Sequence, residues 1–135
     1  MRKMAVDLGD VRIGIAMSDS MAIIASPYET YNTKSNDEDI DYIISVAKKN
    51  SCDTIVVGYP INMDGTLGPR AIKSQKFVEA LKAKIDIKIV LQDERLSSQT
   101  AERYLIEAEM RREKRKTVID KVAACVILRQ YLERI

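Results

Sequence analysis

Thr54-Ile55-Val56-Val57-Gly58 is an unbroken, largely β-branched run, and it constrains the fold more than any other segment. A strand apolar on both faces must be covered on both faces, as happens inside a parallel sheet flanked by helices. Ile87–Gln92 reads as a second buried strand. Parallel neighbours need a crossover, and one is present between these two runs: a helix from about Pro69 to Lys84, with proline at a first-turn position.

The segments before and after this unit divide by apolar period and turn residues. Met4–Leu8 is a short apolar run, and Arg12–Ser18 alternates around Ile13, Ile15 and Met17 as a half-buried strand would. Gly9-Asp10 supplies the turn between them, which predicts a β-hairpin. A third strand falls between Ala25 and Thr33, with Pro27 restricting it to an edge or a strand start. Asn36–Lys49 reads as a helix capped by Ser35 or Asn36. Asp37, Glu38 and Asp39 suit its positive end, and Lys48 and Lys49 its negative end. Ser97–Ala108 and Thr117–Arg134 are the remaining helices. The order is βββαβαβαα, an α/β architecture with a mixed sheet and right-handed crossovers. That is the order of a ribonuclease-H-like fold, although element order alone leaves other mixed α/β folds open. At 135 residues the chain reads as one domain, 1–135.

Composition removes several chemistries. There is no histidine, which excludes Ser-His-Asp and Cys-His triads and any zinc site using imidazole. Trp is absent and aromatics are 5%, so a nucleic-acid surface of stacked rings is poorly supplied. Net charge is +2, too balanced to argue a polyanionic partner by itself. Its distribution says more: Arg111-Arg112-Glu113-Lys114-Arg115-Lys116 carries five basic residues in six. On charge alone this is a solvated loop between helices or a phosphate-binding segment. Cys52 and Cys125 are far apart and suit core packing. No apolar stretch is long enough for a signal peptide or a membrane span, so the expected setting is a reducing cytoplasm with no membrane contact.

In open α/β sheets, ligands gather at the carboxyl ends of the parallel strands. Asp7 ends the first strand, the loop from Gly58 to Thr66 follows the fourth, and Asp93-Glu94-Arg95 follows the fifth. Each alone is equally a turn or cap residue. Asp7, however, lies inside an apolar run, where a carboxylate is costly unless a cation or hydrogen bonds meet it. Asp120 shares a helix face with Ala123, Ala124 and Ile127, and the small alanines let that face approach the sheet closely. With Thr117 as the N-cap, Asp120 is also simply placed to stabilise the helix dipole. Together, Asp7, Glu94 and Asp120 would form a carboxylate cluster, which needs cations to stay ionised. Oxygen-only ligands suit Mg²⁺ or Mn²⁺, and a pair of such ions can promote phosphodiester hydrolysis without histidine.

Four segments carry a family resemblance. They are Asp7-Leu8-Gly9 with Arg12–Asp19, Val57-Gly58-Tyr59-Pro60 with Asn62–Thr66, Asp93–Ser98, and Ile119-Asp120 with Ala123-Ala124 and Ile127-Leu128. In that order they resemble the YqgF family of pre-16S rRNA nucleases, also described as Holliday-junction-resolvase-like. Ser97 stands where Thr is usual and Tyr59 where Leu is usual. The resemblance implies a ribonuclease-H-like fold and a Mg²⁺- or Mn²⁺-dependent nuclease whose acidic site maps onto Asp7, Glu94 and Asp120. The implied substrate is precursor ribosomal RNA, trimmed at the 5′ end of 16S, or branched DNA.

Arg12, Asn62, Arg70, Arg95, Arg111, Arg112, Lys114, Arg115 and Lys116 are the candidate nucleic-acid contacts. Arg12 and Arg95 are equally placed to pair with Asp19 or Asp93 instead. Gly58, Gly65 and Gly68 before the Pro69 helix form a candidate phosphate cradle, or an ordinary strand-to-helix loop. Two other readings stand beside the nuclease: a nucleic-acid-binding module that has lost cleavage, and a phosphate enzyme of the actin and sugar-kinase type. The second needs another domain and another glycine-rich loop. Both a monomer and a homodimer fit the sequence.

Overall fold

A computed structural model describes residues 1–60, 64–93 and 112–133, with side chains in the last segment described from 122 onward. Five strands form one mixed sheet: β1 (Arg2–Leu8), β2 (Arg12–Ser18), β3 (Ala25–Asn32), β4 (Cys52–Tyr59) and β5 (Lys88–Asp93), in the order β3-β2-β1-β4-β5. β1, β2 and β3 pair antiparallel, while β4 lies parallel to both β1 and β5. The helices are α1 (Asn36–Lys49), α2 (Pro69–Lys84) and α3 (Arg112–Glu133). The architecture is the mixed α/β, ribonuclease-H-like arrangement expected. The helix expected over Ser97–Ala108 lies outside the described residues.

The β1–β2 hairpin forms as predicted and is closed by Gly9 N–H donating to the Arg12 carbonyl at 2.9 Å. A Cβ at Gly9 would lie 2.5 Å from that same oxygen, so the turn requires glycine for close approach. Pro27 sits on edge strand β3, opposite Ala16, where the β2–β3 register shifts. Ser35 is the α1 cap; its hydroxyl accepts from Glu38 N–H.

Period-2 alternation sorts the strands between two cores. Met4, Val6 and Leu8 of β1, Ile55 and Val57 of β4 and Ile89 of β5 pack with residues of α1 and α2. Ala5, Ala16 and Val56 face the other way, against Ala124, Cys125, Ile127, Leu128 and Tyr131 of α3. Packing of Ala5 and Ala16 against Ala124 lets α3 lie close on the sheet. This corrects one expectation. β2 is not half-buried: every residue from Ile13 to Ser18 is buried, because α3 covers the face that carries Gly14 and Ala16.

A second correction concerns α3. It starts at or before Arg112, not at Thr117, so Arg112, Lys114, Arg115 and Lys116 are helical rather than part of a loop. Arg, Lys and Glu are good helix formers and no Gly or Pro interrupts the stretch, so nothing stops the helix at Thr117. Asp120 therefore lies in the helix interior and is not the N-terminal acid that the Thr117 cap would have made it. Both cysteines pack in the core as expected. Cys52 Sγ lies 3.3 Å from Met17 Sδ, and Cys125 Sγ donates to the Ala25 carbonyl.

Candidate active site at the carboxyl edge of the sheet

The parallel strands β1, β4 and β5 end together at one edge of the sheet. Register sets Ala5, Val56 and Val90 side by side on the face covered by α3. Two residues further along each strand, the same face carries Asp7, Gly58 and Gln92. Asp7 pairs with Gly14 on its other side, so a residue without a side chain flanks it there as well. It is partly buried, with α3 packed over its strand.

The direction of α3 fixes where Asp120 falls. Tyr131, near the C-terminus of α3, lies under Lys88 Nζ at the start of β5, with 6.0 Å from the nitrogen to the ring centroid. Ala124 packs with Ala5, farther toward the strand ends. The helix thus runs from the carboxyl edge back toward the strand starts, and Asp120 is one turn before Ala124, on the Asp7 side. Glu94, Asn62, Arg95 and Arg111 lie outside the described residues, as do the side chains of Asp120, Arg112, Lys114, Arg115 and Lys116.

Two cations come to the same edge from α2. Arg70 Nη2 donates to the Leu8 carbonyl at 3.4 Å, and Lys73 Nζ to the Gly9 carbonyl at 3.1 Å. Sequence reasoning misses Lys73; the signal that could have found it is its place one helical turn from Arg70. The loop before α2 behaves as the Asp64-Gly65 turn signal predicts. Gly65 has φ +88° and the Asp64 carboxylate accepts from both Thr66 N–H and its hydroxyl. Those bonds hold the Asp64 carboxyl below its ordinary range. Gly68 caps α2 without a side-chain bond, and no acid occupies its first turn, so its positive end is not neutralised from within the helix. Gln75 Nε2 donates to Tyr59 Oη at 2.6 Å and fixes α2 against the end of β4.

Arg12 does not pair with Asp19. β2 carries them to opposite ends, about 20 Å apart at roughly 3.3 Å per residue. The Asp19 carboxylate instead accepts from Ile23 N–H at 2.7 Å and Ile24 N–H at 3.0 Å, bonds that hold its pKa down. On the opposite face of the sheet, a cleft of about 670 Å³ opens between α1 and α2, with Lys34, Lys73 and Lys76 among its lining. It faces away from Asp7.

Among the described residues no three His, Cys, Asp or Glu side chains form a metal-holding group. The described donors nonetheless fit a hard cation: Asp7 supplies a carboxylate at the edge, and on the same face Gln92 Oε1 is buried without a hydrogen-bond partner among the described residues. Oxygen donors of this kind suit Mg²⁺ or Mn²⁺.

The profile of the RuvX family, described as Holliday junction resolvase, matches residues 1–134. A Halothermothrix orenii protein named "Putative pre-16S rRNA nuclease" is 48% identical over 132 residues, covering 98% of this chain and 94% of that protein. A Geobacillus kaustophilus protein of the same name is 44% identical over 135 residues, covering 98% of each. Among solved structures, T. thermophilus RuvC in complex with Holliday junction substrate superposes with a TM-score of 0.64 at 11% identity, covering 99% of this chain and 96% of that one. The fowlpox virus Holliday junction resolvase gives 0.60 at 13%, with both chains covered completely. At such identities the likeness is one of fold.

Proposed function

This chain belongs to the RuvX family, and from that premise we propose that it is a Mg²⁺- or Mn²⁺-dependent nuclease that hydrolyses phosphodiester bonds in structured nucleic acid. Its proposed substrate is precursor 16S rRNA, cut near the 5′ end in the cytoplasm, in keeping with the names of its closely similar relatives. Asp7, Glu94 and Asp120 are the proposed acidic site. The observation that carries this reading is that Asp7 ends β1 on the sheet face covered by α3, the helix that contains Asp120.

A divalent cation, when bound, supplies Lewis acidity toward the phosphodiester and toward water. The chain's own residues do the rest. The Gly9 turn holds the end of β1, and with it Asp7, in a fixed position. Arg70, bonded to the Leu8 carbonyl, and the start of α2, which has no side-chain cap and no acid in its first turn, present positive charge to a phosphate at the same edge. Arg12, Asn62, Arg95, Arg111, Arg112, Lys114, Arg115 and Lys116 are proposed to track the backbone on either side. With no histidine in the chain, proton transfer falls to solvent, a carboxylate or a lysine.

The test is cleavage of precursor 16S rRNA ends and of four-way DNA junctions with Mn²⁺, Mg²⁺ or EDTA. Wild type should cut rRNA with metal and not in EDTA, while Asp7→Asn, Glu94→Gln and Asp120→Asn should fall to background. Equal cleavage by wild type and variants would sink the carboxylate mechanism. Cleavage of the junction alone would favour DNA resolution, the reading its family description supports. Binding in EDTA with no cleavage under any condition would leave a binding module.

A further inference from the structure

Two buried side-chain oxygens accept no hydrogen bond among the described residues, Gln92 Oε1 and Gln130 Oε1. A buried acceptor left without a donor is costly, and such groups are uncommon enough in native proteins to need a reason. Gln130 lies near the far end of α3, away from the carboxyl edge. Gln92 lies at that edge. Val90 of β5 packs with the α3 core, so alternation puts Gln92 on the same face, while Ile89 and Leu91 pack on the other.

Across the sheet, Gln92 pairs with Gly58, and the β1–β4 register, continued by one residue, sets Gly58 beside Asp7. Asp7 and Gln92 are therefore about 10 Å apart at the backbone, two strand spacings, with no side chain on β4 between them. Gln92 Nε2 is already used, donating to the Asp93 carbonyl at 3.4 Å, so the oxygen end is the unspent one.

We propose that Gln92 Oε1 is a neutral oxygen donor to the divalent cation at Asp7, reached directly or through its hydration water. The inference rests on the metal-dependent reading of this site. Its chemistry is specific. Three carboxylates already exceed the charge of one divalent ion. An amide oxygen adds a hard donor without adding a further negative charge. The same atom is a burden when no cation is present, because nothing in the described fold donates to it.

The experiment measures Mn²⁺ binding by calorimetry and thermal unfolding in EDTA for wild type, Asp7→Asn, Gln92→Met and Gln92→Glu. Gln92→Met, close in volume and without the acceptor, should weaken Mn²⁺ binding about 10-fold, the lower end for groups that support a metal site. In EDTA it should unfold about 3–5 °C higher, because the orphaned acceptor is gone. Gln92→Glu should tighten Mn²⁺. Unchanged affinity in both Gln92 variants, with binding lost in Asp7→Asn, overturns the role of Gln92 and leaves Asp7 standing. Wild type that binds no Mn²⁺, or Asp7→Asn that binds it equally, overturns the metal reading and this inference with it. Should Gln92→Met not fold, Gln92→Glu decides alone, and unchanged affinity refutes the proposal.

Discussion

At the residue scale, Gly9 and Asp7 act as one unit. The proposed role of Asp7 needs the chain to turn immediately after β1 and leave its carboxylate at the edge, and the turn brings the Arg12 carbonyl to where a Cβ on residue 9 would lie. Gly9→Ala should therefore destabilise the protein by about 1–3 kcal/mol, because the colliding atom is backbone and cannot rotate away. Urea unfolding measures this, and a loss under about 0.5 kcal/mol, the ordinary surface range, would show that the turn relaxes. The same scale shows what residue type alone does not decide. Arg12 and Asp19 carry opposite charge and are seven positions apart in sequence, yet β2 separates them. Asp19 bonds to the backbone amides of Ile23 and Ile24 instead.

At the scale of elements, α3 is where pattern reading and structure part. Its apolar stretch from Val122 to Leu128 is legible in the sequence, and residues 123–128 are all buried. Its start is not, because Thr117 is a good cap candidate but no breaker precedes it. Arg112, Lys114, Arg115 and Lys116 sit on a helix continuous with the segment that packs on β1 and β2, not on a loop. Replacing these four with Gln should weaken nucleic-acid binding and flatten its salt dependence. For each phosphate no longer neutralised, the slope of log K against log salt should fall by about 0.7 on single-stranded substrate. Binding titrations at several salt concentrations read this directly. An unchanged slope would assign the charges to solvent, while Mn²⁺ binding serves as the control for an intact site.

At the scale of the whole molecule, the absence of histidine shapes the pH response. Asp53 is worked on by opposing effects: burial raises its carboxyl, but the Lys3 ammonium, 2.7 Å away, prevails and holds it below the ordinary range. Asp19 and Asp64 are held down by backbone and Thr66 hydrogen bonds. Groups with lowered folded pKa values stabilise the fold above about pH 4, and that contribution is lost as pH falls through the folded values. In the other direction, burial raises Cys52 to about 11, and burial together with the Glu29 hydrogen bond raises Tyr42 to about 12. These groups stay protonated in the fold after the unfolded chain has ionised, so stability falls from about pH 9 upward. Between about pH 5.5 and 8 no histidine titrates, and with a divalent cation present to keep the acidic cluster ionised the urea midpoint should be flat across that window. A step in the midpoint near pH 6.5 would contradict this expectation.

The sequence by itself determined what is local. α1 and α2 follow from period and caps and have the expected bounds. The hairpin follows from Gly9-Asp10, and the parallel strand β4 from its unbroken β-branched run. It also determined the chemistry open to the chain, since without imidazole an acid–base or metal site must be built largely from oxygen. What only the tertiary structure decided is which side chains share a face at the strand ends. Strand alternation gives each residue a side, but which strand's side meets which helix depends on register between segments far apart in the chain. That register sets Asp7 and Gln92 on the α3 face with glycine between them. It also turns Gln92, in sequence an ordinary residue at the end of a buried strand, into an acceptor for which no described residue supplies a donor.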